Sequence, residues 1–125
     1  MNALEQFKKQ KYLNLETFRR SGESLKTPVW FVQDDETLYV QTMANSGKVK
    51  RIRNNVNVNI TPCKMDGTPT GSWVPAIARE VTGLEIAKKV NQQLEKKYGL
   101  MKKMLALQAK PQGRQDTILE IILVK

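Results

Sequence analysis

The segment VNVNITPC, residues 56–63, alternates apolar and polar side chains strictly. Successive side chains of a β-strand point to opposite faces of a sheet, so this period of two predicts a strand with one buried and one wetter face. Val56, Val58 and Ile60 form the apolar row. Such a strand is stable only when further strands pair with it and cover that row.

Five other segments show strand patterns, separated by turns such as RRSGES, DDE and KMDGTPTG. The regular alternation of strands and helices that is typical of parallel sheets is missing. We therefore predict a mainly β (α+β) fold, a six-stranded antiparallel barrel or sandwich with a few flanking helices. The six predicted strands are KYLNLETF, LKTPVWFVQ, TLYVQTM, VNVNITPC, SWVPAIAREV and TILEIILV.

Two prolines fall inside predicted strands. Pro28 interrupts LKTPVWFVQ and Pro75 interrupts SWVPAIAREV. Proline cannot donate to a strand ladder, so each is expected at a sheet edge or a bulge, and Pro28 alternatively beside a ligand.

Helical patterns flank these strands. ALEQFKKQ is typical of a short amphipathic helix, with Leu4 and Phe7 on one side. TGLE fits a capping box with Thr82 as the N-cap and Glu85 three residues later, and Gly99 is placed to end the helix that follows. The apolar residues of that helix, at spacings of three and four, are Ala87, Val90, Leu94 and Tyr98. A second helical piece, LMKKMLAL, follows and is stopped by Pro111.

The composition limits the functions and binding partners that this chain can have. A length of 125 residues is most simply one domain, residues 1–125. The net charge of +9 favours an anionic partner: a nucleic acid, a membrane surface or a phosphorylated small molecule. The absence of histidine removes the usual general base and every histidine-containing metal or haem site, so no metal ligand set is predicted. Cys63, the single cysteine, is expected to be a small buried apolar residue.

The start of the chain, MNALEQFKKQ, lacks the apolar core of a signal peptide. No segment approaches the ~18 consecutive apolar residues that a membrane-spanning helix needs. A soluble cytoplasmic protein is therefore expected, without a membrane partner.

The segment SGKVKRIRNN places four basic side chains near the predicted start of a helix, where the helix dipole disfavours them unless an anion lies opposite. With Ser46 as N-cap, Val49 and Ile52 form the inward stripe. Lys48 and Arg51 then share one flank, and with Ser46 and the close backbone approach at Gly47 they are the candidate phosphate ligands. Lys50 and Arg51 both point roughly 130° away from the apolar stripe, toward solvent. Arg53 lies across the stripe and is expected to be a solvated or interface charge. The alternative interpretation of the whole run is a solvated basic face.

TPVWF contains two adjacent aromatic residues, Trp30 and Phe31, which point to opposite faces of a strand. One should enter the core, and the other should contact a ligand ring, contact a partner subunit or pack within the protein.

Taken in order, these segments resemble a known family. The series KYLNLETFRRSG, KTPVWFV, LYVQT, SGKVKRIRNN, VNVNITPC, PTG and ARE, from about Lys11 to Val124, is similar to the flavin-binding split-barrel proteins related to pyridoxamine 5'-phosphate oxidase. Within these it looks most like the deazaflavin-dependent branch. The resemblance implies a six-stranded split barrel that forms a homodimer and holds FMN or the deazaflavin coenzyme F-420 in a groove at the subunit interface.

The resemblance also assigns roles by position. Ser46, Lys48, Lys50 and Arg51 match the basic helix start that takes the cofactor phosphate, and Thr42 would add a hydroxyl contact. The strand whose backbone runs beside the cofactor ring is matched by Lys26, Thr27, Pro28, Val29 and Trp30. The series departs from the family at Val56, where relatives often carry proline, and in its short start, which leaves few residues to cover a substrate.

The leading functional hypothesis is a flavin- or deazaflavin-dependent oxidoreductase, in which the cofactor supplies the hydride chemistry and no side chain is an obvious catalytic acid or base. Its small-molecule substrate is not indicated. The alternatives are a non-catalytic flavin carrier and, less favoured, nucleic-acid binding by the basic surface, since the few aromatics are not interleaved with the basic run. Haem handling is disfavoured by the absence of histidine.

Overall fold

The computed structural model describes residues 3–108 and 116–124, with side chains described for residues 3–99 and 116–124. A short 3₁₀-helix, Ala3–Phe7, opens the described chain. Pro111, predicted to stop the second helical piece, lies outside the described residues. In chain order the elements after the 3₁₀-helix are β1 (Tyr12–Phe18), β2 (Ser24–Trp30), β3 (Val32–Asp34), β4 (Thr37–Met43), α1 (Gly47–Asn54), β5 (Asn57–Cys63), β6 (Val74–Val81), α2 (Leu84–Gln108) and β7 (Asp116–Leu123).

All seven described strands belong to one antiparallel sheet, in the order β2-β1-β5-β6-β7-β4-β3. The two edge strands, β2 and β3, follow one another in the chain with only Phe31 between them. Opposite edges of a seven-stranded sheet can be one residue apart only if the sheet curls back on itself. The result is a barrel that is open at Phe31, which agrees with the predicted antiparallel, mainly β class.

The strand count differs from the prediction. The expected strand LKTPVWFVQ divides at Phe31 into β2, which pairs with β1, and β3, which pairs with β4. The division has a physical cause in α2, because the Phe31 N–H donates to the Tyr98 hydroxyl at 2.9 Å and its carbonyl accepts from Lys97 Nζ at 2.8 Å. The backbone N–H and carbonyl of Phe31 are therefore hydrogen-bonded to helix side chains and not to a neighbouring strand.

The barrel interior is filled by the alternating apolar rows. Leu13 and Leu15 of β1 and Val58 and Ile60 of β5 are fully or almost fully buried, as the period of two predicts. Val56, predicted to continue the β5 row, lies just before the strand and is 37% exposed. A second apolar cluster covers the outer face of the sheet beneath α2: Val32, Tyr39, Val90, Leu94, Tyr98 and Ile118.

The two prolines have different environments. Pro28 lies on the edge strand β2, opposite Asn14, as predicted. Pro75 does not lie at an edge, because β6 runs between β5 and β7. It is the second residue of its strand, where its carbonyl accepts from the Val124 N–H at 3.1 Å, and a proline is tolerated near a strand start because little of the ladder is lost.

The helices agree with the sequence in most of their buried faces and differ at their ends. In α2, Val90, Leu94 and Tyr98 are buried as predicted, but Ala87 is exposed. α2 begins at Leu84, so Gly83 and not Thr82 takes the N-cap position, and the Gly83 carbonyl accepts from the Ala87 N–H. Gly83 has a φ of 133°, which glycine adopts far more readily than threonine. The helical course breaks at Gly99, as predicted, where φ is 45°. Within the described residues, neither helix combines the length and apolar character that crossing a bilayer requires.

Candidate functional site

Helix α1 carries the basic run and is held against the barrel by its two apolar residues. Val49 and Ile52 are almost completely buried in the barrel core, as the predicted inward stripe requires. Ser46 is the N-cap residue, with extended backbone angles of −70° and 157°. This anchoring fixes which flank of the helix each basic residue occupies.

Lys48 is directed back onto the strand that precedes the helix. Its Nζ donates to the hydroxyl of Thr42, near the end of β4, at 3.2 Å. Thr42 is 7% exposed and Lys48 is half-buried. Burial and the nearby positive charge of Arg51 lower the pKa of the Lys48 amine. Thr42 thus lies next to the candidate phosphate site and positions its lysine.

Arg51 does not point toward solvent as its helical position predicted, but is half-buried and held by a different strand. Its Nε donates to the hydroxyl of Thr17 on β1 at 2.6 Å. The guanidinium then reaches back over the start of the helix, because a Cβ on Gly47 would lie only 2.8 Å from Arg51 Nη1. Gly47 therefore leaves the space that the guanidinium occupies.

Because the Arg51 side chain folds back along the helix, its charge and its Cα lie at different ends of the helix dipole. α1 has eight residues, and Arg51 belongs to its last turn, where a cation is favoured by the dipole. Only Lys48 and Lys50 start in the first turn, which has no acidic residue. The charge of Arg51 nevertheless lies at the N-terminal end, since its guanidinium lies against Gly47.

The site contains an unsatisfied polar atom. Ser46 Oγ is buried and has no hydrogen-bond partner among the described residues, although serine at an N-cap usually accepts from a helix N–H. A buried hydroxyl without a partner costs free energy, and a ligand oxygen beside it would remove that cost. Ser46 Oγ, the first N–H groups of α1, Lys48 and Arg51 together form a donor set that suits a phosphate.

The site carries an excess of positive charge. Burial and the charge of Arg19 lower the pKa of the Arg51 guanidinium, so a third cation adds to the cluster. Every aspartate and glutamate of the sequence lies among the described residues, and none forms an ion pair with Lys48 or Arg51. Like charges held together without a carboxylate leave a site that an anion stabilises.

The other two basic residues of the run lie apart from this cluster. Lys50 is exposed, as predicted from its helical position. Arg53 is exposed, as predicted, but it is also paired, because its guanidinium donates to both carboxylate oxygens of Glu80 on β6, at 2.9 and 3.0 Å. It connects α1 to the sheet, and the four cations of the run therefore have three different environments.

Strand β2 runs alongside the cluster. Its residue Leu25 pairs with Thr17, the partner of Arg51, and its last residue, Trp30, pairs with Tyr12. These two ends are five residues apart, roughly 17 Å of extended chain. An elongated ligand whose phosphate contacts Arg51 would have the rest of its length beside this edge strand.

Several side chains of β2 already have partners within the protein. Lys26 Nζ lies 5.5 Å from the centre of the Trp73 ring. Trp30 stacks on Tyr98 with ring centres 4.2 Å apart, and Phe31 is fully buried. Both aromatics of TPVWF thus pack within the protein, with one face of Trp30 taken by Tyr98. Thr27 and Pro28 are half-buried, and Val29 packs against the barrel core.

Sequence reasoning missed two residues that hold basic side chains of α1: Thr17, which positions Arg51 in the site, and Glu80, which binds Arg53 outside it. Thr17 follows Leu13 and Leu15 in the same inward row of β1, so the period of two already carried a signal for a buried hydroxyl at the end of an apolar row. Glu80 gave no such signal, because its partner Arg53 lies 27 residues away.

Comparisons with known proteins bear on the fold. No family model matches the sequence, and no curated protein matches it significantly. Many solved structures do match in three dimensions. A Listeria innocua protein, assigned provisionally as a pyridoxamine 5'-phosphate oxidase, has a TM-score of 0.67 at 16% identity, covering 98% of this chain and 89% of its own. The heme storage protein HutZ of Vibrio cholerae has a TM-score of 0.72 at 18% identity, with 97% and 87% covered. An F-420 reductase has a TM-score of 0.64 at 17% identity, with 97% and 92% covered.

These neighbours share one architecture. The chain has the fold of the split-barrel proteins related to pyridoxamine 5'-phosphate oxidase. Their names cover flavin-related enzymes and heme storage, so the architecture alone does not assign an activity.

Proposed function

We propose that the protein binds a flavin-type cofactor, with the cofactor phosphate at the start of α1. The observation that carries this proposal is the buried, unpartnered Ser46 Oγ beside two cations that threonine hydroxyls hold in place. The names of the flavin-related split-barrel neighbours support the same class of ligand.

Each residue of the site has a distinct part in this proposal. Lys48 and Arg51 would bind phosphate oxygens, and Ser46 Oγ would donate to a third. Thr42 and Thr17 orient the two cations. The edge of β2 from Lys26 to Trp30 would line the ring, and the exposed Lys50 would contribute only long-range charge.

The proposed activity is that of an oxidoreductase acting on a small molecule. A bound flavin or deazaflavin supplies hydride-transfer chemistry, and the protein supplies orientation and exclusion of water. Both FMN and F-420 carry a phosphate that suits this site, so a binding experiment has to distinguish between them.

Fluorescence titration with FMN and with F-420 tests the proposal. We expect saturable binding of one of them, weakened about tenfold to a hundredfold in Lys48→Ala and Arg51→Ala, since a hydrogen bond to a charged group contributes about 1.5–3 kcal/mol. Lys64→Ala, an exposed lysine in the turn between β5 and β6, is the matched control and should bind like the wild type. Absence of saturable binding to either cofactor would refute the proposal.

Turnover separates an enzyme from a carrier. Mass spectrometry of ligand retained after native purification identifies the cofactor, and the reduced holoprotein is then mixed with electron acceptors. Oxidation of the cofactor with release of reduced acceptor supports the oxidoreductase. Stoichiometric binding without transfer to any acceptor supports a carrier.

The proposed assembly is a homodimer, as the resemblance implies. Ile122 of β7 and Val124, just after that strand, are 45% and 50% exposed, and a partner subunit would cover such apolar side chains. Light scattering during size-exclusion chromatography should give twice the mass of one chain, and the mass of a monomer at all concentrations would contradict the assembly.

A further inference from the structure

A second cluster of positive charge lies on elements other than α1, in α2 and in the turn after the 3₁₀-helix. Lys97, in the first part of α2, faces the gap in the barrel at Phe31. Lys97, Lys8 and Lys9 line one surface pocket with Phe7, Phe31 and Gln33. None of these residues belongs to the proposed phosphate site, so the pocket calls for its own explanation.

The Lys97 amine is held firmly and partly out of water. Its Nζ donates to the Phe31 carbonyl at 2.8 Å and lies 3.5 Å from the centre of the Phe31 ring. It also lies 5.3 Å from the centre of the Tyr98 ring. The ammonium form would be expected to recruit a carboxylate in such a place. All Asp and Glu residues are described, and none pairs with Lys97.

Burial shifts the protonation equilibrium of Lys97 toward the neutral amine, although the ammonium form, which contacts the Phe31 carbonyl and two aromatic rings, still predominates near neutral pH. Burial lowers the pKa of the Lys97 amine to about 8, so near neutral pH its uncharged fraction is on the order of a hundredfold larger than for an ordinary lysine. Among the side chains that the structure describes, the titratable groups that face it are Lys8 and Lys9, from the turn after the 3₁₀-helix, and Tyr98 beside it in α2. The neutral amine donates one hydrogen to the Phe31 carbonyl and keeps its lone pair for another atom.

The charges of the two flanking lysines indicate which kind of molecule would reach the Lys97 amine. Lys9 adopts a left-handed φ of 64°, an uncommon conformation for lysine, in the turn that presents it. Lys8 is only loosely neutralised, with Glu5 4.0 Å away. A small anion is therefore attracted to the mouth of the pocket.

We propose that Lys97 is a nucleophilic amine that forms a reversible Schiff base with a small aldehyde carrying a carboxylate or phosphate, which Lys8 and Lys9 attract. The Nζ lone pair attacks the carbonyl carbon and forms the carbon–nitrogen bond. The carbonyl oxygen leaves as water with the two amine hydrogens, so an imine forms and no oxidant or reductant takes part. Hydrolysis reverses the step.

Glyoxylate, a small aldehyde that bears a carboxylate, is the probe. The full-length protein is incubated with glyoxylate and cyanoborohydride, which traps the imine, and adducts are located by peptide mass spectrometry. We expect Lys97 to be labelled at least about tenfold faster than Lys96, its exposed neighbour on the same helix. The rate at Lys97 should level off above pH about 8.

Variants separate chemical reactivity from anion recognition. The double variant Lys8→Gln, Lys9→Asn removes the flanking charges and keeps a residue that tolerates the left-handed conformation at position 9. It should lower Lys97 labelling by glyoxylate severalfold and leave labelling by uncharged acetaldehyde unchanged. Equal loss with both aldehydes, in a variant with wild-type circular dichroism, would refute the recognition of an anion.

Labelling of Lys97 no faster than Lys96 in the folded wild type would overturn the proposal as a whole. Lys97 would then be a structural cation that caps the Phe31 carbonyl. Neither outcome depends on flavin binding, so this experiment stands apart from the test of the proposed function.

Discussion

Arg51 of α1 donates a 2.6 Å hydrogen bond from Nε to the hydroxyl of Thr17 on β1, which lies 34 residues earlier in the chain. Thr17 is 1% exposed, so a buried hydroxyl determines the direction of a half-buried guanidinium. The Nη groups of Arg51 remain available for a ligand. Two strands, β1 through Thr17 and β4 through Thr42, thus orient the cations of one helix.

Thr17→Val tests this orienting role. Valine has nearly the same shape and is suited to the buried site, so the fold should persist. Arg51 loses its acceptor, and cofactor affinity should fall about threefold to tenfold, the equivalent of one net hydrogen bond. Thr17→Ser retains the hydroxyl and should restore binding in the same titration. Wild-type affinity in Thr17→Val would show that the hydroxyl does not position Arg51 for the ligand.

Gly47→Ala should change binding and stability in opposite directions. Alanine is the better helix former by up to about 1 kcal/mol, so the free energy of unfolding should stay constant or rise. The new Cβ would lie 2.8 Å from Arg51 Nη1 and would displace the guanidinium, which is the flexible end of its side chain. Titration should therefore show weaker cofactor binding, while denaturant unfolding shows no loss. Unchanged affinity would mean that the guanidinium binds no ligand from this position.

The pair formed by Arg53 and Glu80 should make stability depend on pH. The hydrogen bonds from Arg53 lower the pKa of the Glu80 carboxyl below its ordinary value of 4.5. A lowered pKa in the folded state stabilises the protein above the unfolded pKa, and this contribution is lost as the pH falls through the folded pKa.

Glu80→Gln removes the titrating group and checks this sign. Wild type should be more stable than the variant near pH ~6, and the difference should shrink as the pH falls below ~4. Unfolding in guanidinium chloride at several pH values measures this difference in the free energy of unfolding. A difference that stays constant with pH would contradict the linkage, and cofactor affinity near neutral pH should be unaffected because neither residue belongs to the phosphate site.

Much of the barrel could be predicted because it depends on short-range patterns. The period of two located β1, β4 and β5, and the positions of Val49 and Ile52 predicted which face of α1 is buried. Sequence spacing alone also placed Lys48 and Arg51 on one flank, where the structure has both beside the start of the helix.

The division of the expected second strand could not be predicted in this way. It depends on the hydrogen bond that the Phe31 N–H donates to Tyr98 and on the one that Lys97 donates to the Phe31 carbonyl, from residues 67 and 66 positions away. The same holds for the partner of Arg53, on β6. Local alternation carries no information about such contacts, because they depend on how α2 and the sheet edges meet in three dimensions.

Tyr98→Phe tests whether these long-range hydrogen bonds hold the barrel gap in place. The buried Tyr98 hydroxyl accepts from the Phe31 N–H at 2.9 Å and lies 2.7 Å from the Lys11 carbonyl, to which it can donate. Burial raises the pKa of this phenol, so it remains a donor at all ordinary pH values. Phenylalanine keeps the stacking on Trp30 but leaves the Phe31 N–H without its partner.

The loss of that partner should cost about 1–3 kcal/mol in the free energy of unfolding, the penalty of an unsatisfied buried group. Tyr12→Phe is the matched control, because the Tyr12 hydroxyl makes no hydrogen bond within the described residues and its removal should cost little. Hydrogen exchange should locate the change, with faster exchange of the Phe31 amide in Tyr98→Phe alone. Equal stability of the two variants, with a protected Phe31 amide in both, would show that a strand-like contact and not the tyrosine holds the gap.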